Sequence, residues 1–442
     1  MIDTSTQLGR SHAALMKILM DAPELRDGQQ LDAILAILAD RRATALTDLS
    51  PTEQASLIAG RTRELLPSVD RLGELLASAR TEGRRLTVKF GIDPTAADIH
   101  LGHAVPMIVA GRLQRMGHRV VFIVGDIIAK IGDPTGRVAD RPPLTDDDIR
   151  RNMASYRQQA APFFDFDRAE FRNNSEWLAE CTLPQLIGVL EQIPLSSALQ
   201  REDFRNRLGA GSGLTMAELF YSVVMALDSV AVAADIELGG LDQLLNMQMC
   251  RRVMENHGQT PQIVVATGLI EGTDGTGAKM SKSKGNYIGL AFEATDVHGK
   301  LMSVPDRLLP DYLRALTELL DPEIAVIANM MADRRIHPMG VKTLLASDLT
   351  GAIHGADAAT AARTGFRAQF SRKRFSDVVD VAVIDRSEHA GTTIAQLFVE
   401  VTGQVPSVNR VRRTARDGGL RLVAEMSSGE RESVSLNEDM RG

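Results

Sequence analysis

His100 and His103 stand three residues apart, with Leu101 and Gly102 between them, where a turn gives way to an apolar helical periodicity. Much later, Lys279-Met280-Ser281-Lys282-Ser283 sets two lysines among glycine and hydroxyl residues, inside G-T-G-A-K-M-S-K-S-K-G-N. Imidazoles in the first turn of a helix share a face and stand beside free backbone N–H groups at the positive end of the helix dipole. That is a phosphate site before any side chain adds to it. Lysines on a Gly/Ser loop add charge that closes over a ligand. The chemistry implied is stabilisation of a charged phosphoryl or nucleotidyl transition state, not covalent catalysis. Either motif alone describes an ordinary helix start or a solvated basic loop; both together, in this order, are specific.

The elements that must hold them read as α/β. K-F-G-I-D-P-T-A-A-D-I-H-L-G-H runs from a short strand (Leu86, Val88, Phe90) through a turn to His100. Leu101, Val105, Ile108, Val109 and Leu113 then predict a helix from about Ile99 to Met116. R-V-V-F-I-V at Arg119 to Val124 reads as a strand covered on both faces, followed by Gly125-Asp126 and the loop Gly132 to Arg137. Asp146 to about Leu214 reads as mostly helical, an insertion between two halves of a nucleotide-binding sheet. The second half is a helix from Met216 to Ala234, a strand entering Gly239-Gly240-Leu241-Asp242-Gln243, a helix from Leu244 to Glu255 and a strand from Gln262 to Ala266. Loops at the carboxyl ends of parallel strands are where a doubly wound sheet binds ligands.

The flanks carry less chemistry. Leu15, Ile18 and Leu19, then Leu31, Ile34, Leu35 and Leu38, predict helices within residues 1–55, with Asp48 to Pro51 as a stop. Asp296 to about Leu349 is helical. Beyond Thr392 lie a helix at Ile394 to Val401, an Arg-rich segment from Asn409 to Arg421 and short strands at Leu420 to Ala424 and Glu432 to Leu436. Trp177 is expected in the core, Cys250 as a small buried apolar residue, and Glu237 either as a strand-end acid or a ribose contact.

Length and composition set bounds. The 442 residues, 44% apolar and 24% charged, suffice for two or three domains of ordinary globular make-up. No apolar run is long enough to span a bilayer and the N-terminus does not resemble a secretory signal, so no membrane role is expected. Two cysteines, Cys181 and Cys250, make neither a disulfide framework nor a zinc site, which suits a reducing cytoplasm. A net charge of −7 does not mark a nucleic-acid binder as a whole. The Arg-rich tail is the candidate basic face.

The two motifs resemble the signatures of class I aminoacyl-tRNA synthetases. With I-G-D-P-T-G-R, N-N-S-E-W-L, G-G-L-D-Q and K-M-S-K-S-K-G-N-Y-I-G-L, the chain is similar to bacterial tyrosyl-tRNA synthetases from about Ile58 to the tail. The resemblance implies a Rossmann-type catalytic domain at 56–290 with its insertion at about 146–214, a helical anticodon-side domain at 291–385 and a shortened S4-like RNA-binding tail at 386–442. Residues 1–55 form an N-terminal extension outside the pattern.

It also implies ATP with Mg2+ and no dedicated protein cage for the metal, tyrosine and tRNA as substrates, and a homodimer. Carried over residue by residue, His100, His103, Thr95, Lys279 and Lys282 would be catalytic. Gly91, Asp93, Gly102, Gly240, Asp242, Met280 and Ser281 would complete the ATP site. Asp133, Tyr221, Asp228 and Gln243 would bind the amino acid, and Arg410, Arg412 and Arg413 the tRNA. Met225 stands where the family carries a glutamine and Leu227 where it usually carries a tyrosine. A paralogue activating another amino acid, as in secondary metabolism, is therefore the alternative.

Overall fold

The computed structural model describes residues 3–21, 25, 28–92, 98–128, 145–199, 202–211, 213–370, 396, 399, 408, 411, 421–425 and 431–435. The chain divides into two compact units, Met1–Arg367 and Ala368–Gly442. In the second unit, Arg421–Glu425 and Arg431–Ser435 form an antiparallel pair.

The first unit is built on a six-stranded sheet: β1 (Thr62–Leu66), β2 (Thr87–Ile92), β3 (Arg119–Val124), β4 (Glu170–Asn173), β5 (Ile236–Gly240) and β6 (Ile263–Thr267), in the order β1-β6-β5-β2-β3-β4. All neighbours are parallel except β1 against β6. From β2 the chain proceeds outward to β3 and β4, then returns to the other side of β2 with β5 and β6. The β2/β5 boundary is therefore the switch point, where two crossovers diverge and leave a crevice at the carboxyl ends. The expected α/β class and doubly wound arrangement are what the structure has.

β3 and β6 are buried nearly throughout, as parallel strands covered on both faces must be. Val88 of β2 lies opposite Val120 and Ile236, and Phe90 opposite Phe122 and Leu238. Behind them the Leu101–Arg115 helix packs Leu101, Val105, Ile108, Val109 and Leu113 into the main core.

Three features differ from the expectation. The span 146–214 does not simply interrupt the sheet: it opens with the Asp146–Ala160 helix and supplies β4, which pairs with β3. Its sequence, E-F-R-N, is a short edge strand without apolar alternation. β1, with its mostly half-exposed residues, is a second edge strand lacking a periodic signal. Ser50-Pro51 starts a helix, Pro51–Ala59, rather than ending one: the Ser50 hydroxyl accepts from the Glu53 N–H while the Glu53 carboxylate accepts from the Ser50 N–H. Pro51 sits at the first helical position, where its missing N–H costs nothing.

The N-terminal helices Gln7–Asp21 and Gln29–Ala43 are part of the same core through Leu8, Leu15, Leu19, Leu31, Ile34 and Leu38. Arg41 is fully buried and meets both carboxylate oxygens of Glu323, 2.8 and 2.7 Å away, a bidentate geometry that holds a guanidinium out of water.

Candidate active site

His100 is the N-cap of the Leu101–Arg115 helix. Its Nδ1 accepts the Gly102 N–H at 3.1 Å, and the His103 Nδ1 accepts the His100 N–H at 3.3 Å. Both rings are thus held in the tautomer whose Nε2 carries the proton, so each presents a donor. The ring centroids are 4.0 Å apart. Glycine at 102 is required by contact: a Cβ there would meet the His100 ring carbon Cε1 at 2.9 Å. Burial, joined by the other histidine and by Lys282 and Lys279, lowers His100 to about 3. Burial followed by Lys282 lowers His103 to about 4. The pair is neutral at pH 7 and presents N–H dipoles, with the positive charge on the lysines.

The lysine loop is anchored against this helix start. Leu101 N–H donates to the Ile288 carbonyl at 3.0 Å and Leu290 N–H to the Ile99 carbonyl at 2.9 Å, so the segment leaving the loop bridges the histidine turn. Asn286 ties the loop to itself, its Oδ1 accepting the Ser281 N–H at 2.9 Å. Met280 is buried in the main core and serves as the loop's apolar anchor. Lys279 Nζ lies 3.1 Å from Asp242 and Lys282 Nζ 3.8 Å from Asp98. The four side chains are 29–62% exposed, and pairs this open to solvent are worth only about 0–1 kcal/mol.

Asp242 lies in the Leu241–Gln243 turn that follows β5, the strand paired with β2 at the switch point. A Cβ on Gly240 would meet Asp242 Oδ1 at 2.6 Å and push that carboxylate from its place. Beneath this edge lies a cavity of about 240 Å3. Gly91, Tyr221, Met225, Asp228 and Gln243 line it, joined by Lys89 and Glu237. Leu227 is not among the lining residues; it packs on the Val189, Val223 and Cys250 cluster. Asp93, Thr95, Asp133, Arg410, Arg412 and Arg413 lie outside the described residues.

Two groups escaped sequence reasoning. Trp177 is not a plain core residue: its indole N–H donates to Asp228 Oδ1 at 2.9 Å. The short helix bearing it is tethered to the end of β3, where Asp126 accepts from the Ser175 N–H at 2.9 Å and the Ser175 hydroxyl at 2.6 Å. Burial raises Asp228 to about 6, with Lys89 and Trp177 opposing the shift.

The second group is Lys89 with Glu237, residues paired in register on β2 and β5. Lys89 Nζ donates to Glu237 Oε1 at 2.7 Å and to Ser229 Oγ at 2.8 Å, with the Cys250 sulfur 3.8 Å away. Glu237 also accepts from the Gln262 amide. Burial works against the Lys89 charge, yet the Cys250 sulfur and the Glu237 and Asp228 carboxylates overcome it and raise the ammonium above its ordinary range. Glu237 is thus a buried counter-ion rather than a ribose contact, and Cys250 is packed on that ion pair rather than on apolar groups alone.

A doubly wound sheet with a histidine helix start and a lysine loop facing each other over its switch point defines a nucleotide-binding catalytic unit of the class I synthetase kind. The chain belongs to the family described as tRNA synthetases class I (W and Y), whose model matches residues 81–371. It is 37% identical over 377 residues to the Tyrosine--tRNA ligase of Thermotoga maritima, covering 85% of this chain and 91% of that one. It is 34% identical over 393 residues to the Tyrosine--tRNA ligase of Aquifex aeolicus, covering 89% and 96%. In fold it is similar to a C-terminally truncated mitochondrial tyrosyl-tRNA synthetase from Aspergillus nidulans, with a TM-score of 0.58, 23% identity and coverage of 76% of this chain and 98% of that one.

Proposed function

We propose that the protein is a tyrosine–tRNA ligase that activates tyrosine with ATP and transfers it to tRNA. The observation that carries this reading is the convergence of the His100/His103 donors, Asp242 and the two lysines around one crevice, above a cavity that ends on a buried acid. In the first step a tyrosine carboxylate oxygen attacks the α-phosphorus, the bond to the bridging oxygen breaks and pyrophosphate leaves. The Nε2–H groups of His100 and His103 meet the charge growing on phosphate oxygens, together with Thr95. Lys279 and Lys282, released from Asp242 and Asp98, neutralise the departing pyrophosphate. Gly91, Asp93, Gly102 and Gly240 let the nucleotide approach the backbone, Met280 and Ser281 shape the loop over it, and Asp242 accepts from a ribose hydroxyl. In the second step the terminal adenosine hydroxyl of the tRNA attacks the tyrosyl carbonyl and AMP leaves.

Asp228 accepts from the phenolic hydroxyl. A pocket of this kind rejects phenylalanine because the analogue leaves a buried acceptor unpaired. Tyr221, Asp133 and Gln243 hold the amino-acid end. Magnesium arrives with ATP and needs no dedicated protein cage. A homodimer through the inserted region fits its exposed Leu183, Ile187, Leu195 and Leu208. Arg410, Arg412 and Arg413 are the tail's tRNA contacts, and the cytoplasm is the compartment; among the described residues no helix is long and apolar enough to cross a membrane.

A second reading, activation of another amino acid, rests on Met225, whose thioether lines the cavity and is only a weak acceptor. ATP–pyrophosphate exchange with a panel of amino acids tests both. Exchange strongest with tyrosine supports the first; exchange with another amino acid alone supports the second, and none at all refutes both.

A further inference from the structure

One turn of the Met216–Ala231 helix, between Met225 and Ser229, is held to the sheet by a single ammonium. Lys89 Nζ, on β2, reaches the Met225 carbonyl at 3.4 Å, the Ser229 hydroxyl at 2.8 Å and Glu237 Oε1 on β5 at 2.7 Å. An ammonium has three N–H donors, and here three oxygens accept them, so none is left over for a ligand. Met225 and Ser229 stand four apart and bound one helical turn. Asp228 lies within that turn, 1% exposed, and lines the amino-acid cavity together with Met225. The clamp therefore fixes where this carboxylate stands relative to β2 and β5.

Charge adds to position. Among the described residues Lys89 is the one cationic side chain in the cavity wall, where it serves two carboxylates, Asp228 and Glu237. The titratable and polar groups around them are completed by Tyr221, by Trp177 and Asn174, and by Cys250 on the ion pair, whose thiol burial keeps neutral. Burial drives Asp228 toward its neutral form; Lys89 is the main opposing influence, and Glu237 adds to the drive. An ionised carboxylate accepts only, and leaving it unpaired costs more than leaving a neutral acid unpaired. The ring end of the substrate must then bring a donor.

We propose that Lys89 is a positioning residue for amino-acid specificity: by gripping the Met225–Ser229 turn and supplying the cavity's positive charge, it keeps Asp228 a fixed, ionised acceptor that selects a phenolic hydroxyl over a bare ring. This rests on the tyrosine reading above and goes beyond it, assigning the discrimination to a group that does not touch the substrate.

The test is ATP–pyrophosphate exchange by the full chain with tyrosine and with phenylalanine over a series of pH values. Lys89→Met combined with Glu237→Gln removes the ammonium without stranding its partner. In that variant the rise in the KM for tyrosine on acidification should move from about pH 6 to higher pH. At neutral pH that KM should increase about tenfold or more and the preference over phenylalanine should shrink, while the KM for ATP holds. Glu237→Gln alone leaves the ammonium to Asp228 and should displace the rise to lower pH. Opposite displacements follow from a charge acting on Asp228; a merely structural loss moves both variants the same way. The proposal is overturned if the double variant, folded by circular dichroism, keeps the parent's tyrosine KM and midpoint, if both variants shift in one direction, or if the KM for ATP rises as much as that for tyrosine. No tyrosine-dependent exchange by the unaltered chain overturns the tyrosine reading itself, and this inference with it.

Discussion

Replacing Lys89 by methionine removes one charge of the ion pair in the wall of the 240 Å3 cavity while keeping nearly the same shape. Lys89 and Glu237 have side chains only 1% and 2% exposed, so the remaining carboxylate cannot be rehydrated in place. Glu237 would keep the Gln262 amide and lose its only cationic partner among the described residues. Breaking a buried pair from one side costs roughly 3–5 kcal/mol. Against a total stability of roughly 5–15 kcal/mol, the single variant should be marginal. Replacing both residues, Lys89→Met with Glu237→Gln, removes the orphaned charge and should recover most of the loss, since a buried pair replaced whole is often neutral. Urea unfolding followed by circular dichroism and by fluorescence of Trp177, the chain's single tryptophan, reads both variants. A penalty below about 1 kcal/mol for Lys89→Met, or a double variant no more stable than the single, would show that the pair is not the uncompensated buried charge described above.

His103→Ala removes one neutral donor and should slow formation of the enzyme-bound adenylate by about 10²–10³-fold, measured in single turnover; an unchanged rate would falsify its role at the phosphate. The histidines' lowered values, about 3 and 4 against an ordinary 6.5, mean that both are neutral in the folded protein. Stability tied to this pair is present above pH 6.5 and is lost as pH falls through 4 toward 3. The activation rate should therefore show no titration of these histidines near pH 6.5, and an inflection there that vanishes in His103→Ala contradicts their neutrality. Asp228, raised to about 6, accepts a phenolic hydrogen bond fully only when ionised, so the KM for tyrosine should rise as pH falls through 6. Trp177→Phe takes away the indole donor that favours the ionised acid. It should raise that KM about tenfold or more, following the roughly 1.5–3 kcal/mol of a hydrogen bond to a charged group, and an unaltered KM counts against the contact.

Much of the catalytic half was legible because its signals are local. The periodicity after His100 marks a helix, since residues three and four apart share a face, and the apolar run at Arg119 to Val124 marks a strand buried on both sides. Gly102 sits between the histidines because the ring of one leaves no room for a Cβ. β1 and β4 were not legible: edge strands of five and four residues bury too little to impose a pattern. Ser50-Pro51 is ambiguous in sequence because proline is compatible with both the end and the first position of a helix, and only the Glu53 contact decides.

The sequence by itself determined which residue types are available at the crevice and the order of elements that carries them there. What only the tertiary structure decided is which of them meet. Lys89 and Glu237 are 148 residues apart and become neighbours solely through the register of β2 against β5. Trp177 reaches Asp228 because Asp126 holds its short helix at the end of β3. Asp348 is buried beside Arg42 because helices some 300 residues apart pack together. Periodicity records which face of an element is buried; what that face is buried against depends on long-range packing, and the charge state of each buried group follows from it.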